Sequence, residues 1–214
     1  MEHPTATEAD TPPALEAGAR LRVLRAAAHL FAARGYDAVS VREIVQDANL
    51  TKPALYYHFG SKEGVAQAIL ADFMQAADTV RARVFAQSEN LRQALQSYCN
   101  EMLSLAAQRK DDLAFGFTCW FGRSSLGQIT EQTSQYDCKV SAEWMVFLQQ
   151  QALTEAQAGN VLRVFWALLM QELLRVVHCP FWQGDAGDTG QVFASLVLDG
   201  ALGVSNQPTI ETKG

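Results

Sequence analysis

Lys52, Tyr56, Tyr57 and Lys62 crowd into the run from Thr51 to Gly64 of a 214-residue chain whose formal net charge is −6. Ammonium groups neutralise phosphate, phenolic hydroxyls hydrogen-bond to it, and tyrosine rings touch sugar or a thymine methyl. Together these side chains offer the chemistry of a phosphate-lined groove. Lys52 opens its helix, where it reaches a phosphate or a guanine edge and where free amides attract the same phosphates. Ser40 and Arg42 stand at the start of the preceding helix, where side-chain and amide contacts to phosphate would fix register. His58 reads as a hydrogen-bonding edge residue, since no second His, Cys or carboxylate lies at ligand spacing on that short helix; no metal is expected there.

Local signals define the elements that position these groups. Thr51 caps a helix, Pro53 is tolerated in its first turn, and Gly60 stops it. Leu55 and Phe59 are four residues apart and share one face, so they anchor the helix and leave Lys52, Tyr56 and either Pro53 or Tyr57 to point elsewhere. Upstream, Ser40 and Glu43 have capping-box spacing, and Val41, Ile44, Val45 and Ala48 form the stripe of a second short helix. Asn49, Leu50 and Thr51 make the turn, with Leu50 plugging inward. Earlier still, Leu21, Leu24, Ala28 and Phe31 recur at helical spacing before the stop at Gly35. Three helices, the last two tightly joined, make a helix-turn-helix unit.

From Ala26-Ala27-Ala28-His29-Leu30-Phe31 through Gly35-Tyr36, Val39-Ser40-Val41, Ile44-Val45 and Leu55-Tyr56-Tyr57-His58-Phe59 to Lys62-Glu63-Gly64, the sequence resembles the DNA-binding domain of the tetracycline-repressor-like (TetR) family. The resemblance implies an operator in double-stranded DNA, read by Ser40, Arg42, Thr51, Lys52, Pro53, Ala54, Tyr56, Tyr57, His58 and Lys62. Lys62 resembles the family's backbone-clamping lysine; its alternative reading is a solvated charge. One of the tyrosines has the alternative reading of a wedge between helices. Ala54 replaces the hydroxyl residue frequent at its place in the family, leaving a methyl where a hydrogen bond would form.

Charge is divided unevenly. Residues 17–64 hold seven Lys/Arg against four acids, a balance of +3, whereas residues 1–16 carry −4 and residues 65–214 carry −5. An acidic chain with one basic module suits a DNA-reading head on a body that does not touch DNA. The expected organisation is all-α: a disordered arm over 1–16, the head over 17–64, a larger helical effector-binding and dimerisation domain over 65–205, and a flexible tail over 206–214. No charged start followed by an apolar segment and no long uncharged apolar span is present, so a membrane partner is not expected and the cytoplasm is the default location.

Helical spacing continues through the body. Val65, Ile69, Phe73, Ala76 and Val80 mark a connecting helix running to Val84, and further helices are predicted over Asn90–Gln108, Leu113–Leu126 and Val140–Gln151. Val161–Val177 is apolar on most faces, and after a Pro/Gly break Phe193, Leu196, Val197, Gly200, Ala201 and Val204 form one stripe. With Phe165, Leu169 and Leu173 these residues are the expected homodimer interface, two helices from each subunit forming a four-helix contact as the resemblance also implies. The alternative is that both helices are ordinary core. Cys99, Met102, Phe115, Trp120, Phe121, Trp144, Phe147, Phe165, Trp166 and Met170 are the expected wall of a cavity for a small hydrophobic or aromatic effector, the competing reading again being core. Gly116 and Gly122 inside a helical stretch suggest a kink or close approach near that cavity.

Cys99, Cys119, Cys138 and Cys179 lie far apart with no C-x-x-C pair, so they read as buried small hydrophobes or isolated thiols, with thiol or metal sensing as a lesser alternative. His178 beside Cys179 is the sole candidate dyad, and neighbours along a helix do not face each other. An enzyme is not expected, nor a cofactor. The expected mechanism is a repressor whose two third helices stand roughly 34 Å apart on a palindromic operator, and whose effector tilts the connecting helix to release DNA. The competing class is an architectural or protein-interaction adaptor with a fully packed body and no small-molecule input.

Overall fold

The computed structural model describes residues 13–121, 127–179 and 186–200. Their regular structure is helical throughout. Helices α1 (Pro13–Arg34), α2 (Val41–Asp47), α3 (Lys52–Phe59) and α4 (Lys62–Gln87) are followed by α5 (Leu91–Gln108), α6 (Lys110–Phe121), α7 (Gly127–Gln150), α8 (Glu155–His178) and α9 (Ala186–Ser195). A π-helical turn, Leu196–Gly200, continues from α9. The chain divides into two compact units between Ile69 and Leu70, inside α4 and a little beyond the expected boundary at Gly64. Helix α1 begins within the span expected to be an arm; the rest of that arm, the tail, Gly122, Ala201 and Val204 lie outside the described residues.

In the first unit, backbone chemistry sets each helix end. Ser40 Oγ accepts from the Glu43 amide at 3.3 Å while the Glu43 carboxylate accepts from the Ser40 amide at 2.8 Å, completing a capping box. Arg34 donates to the same carboxylate at 2.7 Å. The Ser40 hydroxyl and amide, then Arg34, hold Glu43 down at about 2. After α2 the chain turns through Asn49 at φ 51°, a left-handed conformation that asparagine tolerates. Thr51 Oγ1 accepts from the Ala54 amide at 3.4 Å, and Gly60, at φ +71°, ends α3 by donating to Tyr56 O at 2.8 Å. Val23, Leu24, Ala27, Phe31, Ile44 and Leu55 are buried together as the hydrophobic interior of this unit. Leu21 is a correction: it faces solvent, and Val23 and Ala27 carry the buried stripe of α1 instead.

The second unit is organised around Trp144. Its ring lies 4.8 Å from Phe85, 5.0 Å from Tyr98 and 5.7 Å from Phe165, so α4, α5, α7 and α8 converge on one aromatic cluster. Helices α5 and α9 meet closely at Gly190. Its amide donates to Asn100 Oδ1 at 3.1 Å, and a Cβ there would stand 2.6 Å from the Gln96 carbonyl oxygen. Arg92 extends the contact with bonds to Ser195 and Asp199.

Two helices are longer than their apolar stripes suggest. Helix α7 starts at Gly127 rather than near Val140 because Ile129, Thr133, Tyr136 and Val140 make one seam in which a threonine replaces the hydrocarbon. Helix α8 starts at Glu155 because Thr154 and Gln157 form a second capping box. Gly116 lies within α6, and a Cβ there would meet Leu70 and Trp120 at ordinary van der Waals distances, 3.6 and 3.7 Å.

Cys99 and Cys119 are buried, whereas Cys138 is exposed and Cys179 half-buried. Burial pushes the Cys99 thiol up to about 12 and the Cys119 thiol up to about 11. At neutral pH, titration of the native chain with a disulfide reagent is therefore expected to modify Cys138 and Cys179 and to reach Cys99 and Cys119 only in denaturant. Fast labelling of all four under native conditions would contradict that burial.

Candidate functional site

The head presents α3 edge-on to solvent. Leu55 is 0% exposed and holds the inner side, with Phe59 half-buried beneath the Arg20 guanidinium at 5.7 Å. On the outer side Tyr57 is 76% exposed and Tyr56 48%, so neither is a wedge between helices. Lys52, Pro53, Thr51, Ser40 and Arg42 are also exposed, while Ala54 and His58 are half-buried. The His58 ring meets Tyr57 edge-on at 5.1 Å, which helps to set the tyrosine's direction. Two of these hydroxyls have structural work: Ser40 Oγ donates to Glu43 at 2.7 Å, and Thr51 Oγ1 caps α3.

Lys62 departs from both of its readings. Its ammonium donates to the carbonyls of Tyr36 and Val39, each at 2.9 Å, and sits 4.0 Å from the centre of the Tyr36 ring. It is neither a solvated charge nor a free phosphate clamp. Those bonds tie the first turn of α4 to the loop between α1 and α2. The physical reason is that two loop carbonyl oxygens, the Tyr36 one also accepting from the Val39 amide, and an aromatic face together give the ammonium partners in place of water.

The second unit contains a cavity of about 370 Å³ lined by residues of α4, α5, α6, α7 and α8. Met102, Trp120, Phe121, Trp166 and Met170, all expected on its wall, are there. Cys99, Phe115, Trp144, Phe147 and Phe165 are not: they are buried in packing beside it, the fate of the most inward-facing side chains on each helix. Phe73, Met74, Ala77, Tyr98, Leu113, Tyr136, Asp137, Val140 and Ser141 also line it without having been expected, and Leu169 and Leu173, expected at the dimer interface, finish the wall. The i, i+4 pairs Phe73/Ala77, Tyr136/Val140 and Asp137/Ser141 are the sequence signal that each set shares a helix face.

A polar network borders this cavity. Tyr136 Oη donates to Asp78 at 2.8 Å and lies 3.1 Å from Met74 O, Arg81 bonds Asp78 and Glu143 at 2.7 Å each, and Lys139 reaches Asp78 at 3.0 Å. Burial opposes ionisation of Asp78, but hydrogen bonds from Lys139, Tyr136 and Arg81 outweigh it and keep the carboxyl below its ordinary range. Burial pushes the Tyr98 hydroxyl up to about 12, so it is a neutral wall group.

The expected interface residues divide differently. Phe165, Leu169, Leu173, Phe193 and Val197 are buried within their own unit, Leu169 and Leu173 also bordering the cavity, so none offers its side chain to a second chain. Leu196, 53% exposed, and Val192 face outward on α9 and its π turn, with Gly200 exposed at the end. On α8 the outward groove runs along Ala167, Met170, Gln171 and Leu174. Among the described residues no group of three or more His, Cys, Asp or Glu side chains is placed to hold a metal ion, and no helix is long and apolar enough to cross a membrane.

Residues 23–69 match the family described as bacterial regulatory proteins, tetR family. The chain is 40% identical over 62 residues to the transcriptional repressor KstR2 of Mycolicibacterium smegmatis, covering 29% of this chain and 30% of that protein. It is 48% identical over 48 residues to the A-factor receptor protein of Streptomyces griseus, covering 22% of this chain and 17% of the relative. The matches to these curated relatives thus span less than a third of their length. The fold is shared more widely. The TetR-family regulator PfmR from Thermus thermophilus superposes with a TM-score of 0.66 at 20% identity, over 83% of this chain and 94% of that one. The fatty acid degradation regulator FadR from Bacillus halodurans gives 0.66 at 14% identity, over 90% of this chain and 98% of that one.

Proposed function

Because residues 23–69 match the tetR family of bacterial regulatory proteins, we propose that the chain is a member of that family and a homodimeric transcriptional repressor released from a palindromic operator by a small, mainly apolar effector. The observation that carries the reading is the two-sidedness of α3: Leu55 is sealed into the head while Lys52, Tyr56 and Tyr57 stand in solvent on the other side. Such an element enters a major groove with its anchor behind it and its polar groups forward. Exposed Ser40 and Arg42 at the start of α2 add contacts to the adjacent backbone.

Dimerisation supplies the second half-site. The outward side chains of α8 and α9, Ala167, Gln171, Leu174, Val192 and Leu196, form the exposed part of two helices that meet within the second unit, and a copy of the same pair would cover them. Two heads on one palindrome multiply a weak half-site affinity. The cavity supports an effector over the adaptor alternative, whose body would be packed solid; its volume lies within the range of about 300–1,000 Å³ common for small-molecule sites. An effector releases DNA when it binds the non-reading state more tightly than the reading state.

The test uses duplexes selected by the wild-type chain from a random double-stranded library, with affinity read by fluorescence anisotropy. Tyr57→Ala is expected to lose about tenfold in affinity for them, the scale of one good groove contact, while sedimentation still shows the dimer. Unchanged affinity would remove Tyr57 from the reading side, and a chain that selects no duplex at all would end the proposal.

A further inference from the structure

Among the described residues the effector cavity carries one charged side chain on its wall, and that side chain is an acid. Asp137 lines the cavity from α7 together with Ser141, one turn further on, and among the described residues its carboxylate makes no hydrogen bond or ion pair. Its neighbours are otherwise accounted for: Asp78 and Glu143 hold Arg81, and Lys139 is bonded to Asp78. Two cations therefore face two anions in the network, and Asp137 is left over. The rest of the wall is aromatic and aliphatic, with Phe73, Trp120, Phe121, Tyr136 and Trp166 contributing rings. Phe121 is 69% exposed, so part of this aromatic surface reaches solvent as Asp137 does.

We infer that the cavity takes an amphiphilic cation, an apolar body carrying one amine or quaternary ammonium, with Asp137 as its counter-charge and the surrounding rings as its cage. A cation gains from the negative faces of aromatic rings and from an unmatched carboxylate at once. An anion meets repulsion from Asp137 and finds no free cation among the described wall residues. A neutral ligand gains burial and at most a hydrogen bond from a wall hydroxyl such as Ser141, without the charge term. The indole Nε1–H groups of Trp120 and Trp166 are buried behind the wall surface and present no donor to the open space. Shielding by the wall raises the Asp137 pKa above the ordinary carboxylate value, which is the environment in which a bound cation restores the charged form.

The inference rests on the reading of this cavity as the effector site, and the experiment separates the two. Adamantylmethylammonium, adamantyl methyl ketone and adamantane carboxylate share one apolar body and differ in charge. Calorimetry on the full chain is expected to rank them in that order, with the ammonium about tenfold tighter than the ketone. Asp137→Asn, an exposed and nearly isosteric change, is expected to bring the ammonium down to the ketone's affinity and to leave the ketone where it was. Equal binding of the ketone or the carboxylate to the wild-type chain, or an ammonium affinity indifferent to Asp137→Asn, would overturn the inference while the cavity stands as a ligand site. Failure of all three probes would remove the cavity itself. Asp137-dependent binding of the ammonium with operator affinity unchanged would uphold the charge assignment and sink the effector reading.

Discussion

Gly64→Ala is expected to destabilise the DNA-reading head by about 2–3 kcal/mol and to abolish operator binding with it. A Cβ at this position would stand 2.0 Å from the carbonyl oxygen of Phe59, and a backbone oxygen has no rotamer by which to retreat. The relief available is displacement of the end of α3, the element that carries Tyr56 and Tyr57. The gain in helix propensity from glycine to alanine, about 1 kcal/mol, is smaller than the clash. Gly116→Ala is the internal control, since its new methyl would meet Leu70 at 3.6 Å, an ordinary contact, and the propensity gain stands unopposed. Thermal unfolding of both variants decides the matter. Equal melting temperatures would mean that the α3–α4 junction has slack the geometry does not show.

Trp144→Ala has the largest effect expected in the second unit, a loss of about 3–5 kcal/mol in urea unfolding. The indole is fully buried and makes edge contacts with Phe85, Tyr98 and Phe147, so its removal opens a void at the meeting point of four helices. Phe121→Ala is the contrast. That ring is largely in solvent at the cavity wall, and its truncation should cost well under about 1 kcal/mol while weakening a bound apolar probe. Should the two variants unfold at the same urea concentration, the division of the aromatic residues between core and cavity would be wrong.

That division is the part of the molecule least legible in the sequence. Trp144 and Trp166 are both tryptophans on long helices with apolar neighbours, and nothing local says that one seals the core while the other borders a cavity. Phe165, Leu169 and Leu173 read equally well as a partner-facing surface, because a helix apolar on most faces does not announce which face meets which neighbour. Where the signal is local the reading is sharp. Ser40 with Glu43, Thr51, Pro53 and Gly60 each act within one turn of the chain, and α2 and α3 begin and end where those residues place them. Thr154 with Gln157 is a signal of the same kind and fixes the start of α8, though the apolar stripe begins only at Val161. Asp137 is hidden for another reason: it sits in a polar half of α7 whose seam runs through Thr133, so neither the helix nor its inward face stands out.

The bonds of Lys62 to Tyr36 and Val39 change how a chemical footprint of this chain should be interpreted. An acylating reagent competes poorly for an ammonium already enclosed by two carbonyls and a ring, so Lys62 will be slow to label whether or not a duplex is present. Lys52, open to solvent, will label quickly in the free chain, and its slowing on adding DNA is the informative signal. A mapping study that scored every sluggish lysine as a point of contact would mistake an internal tether for an encounter with the operator.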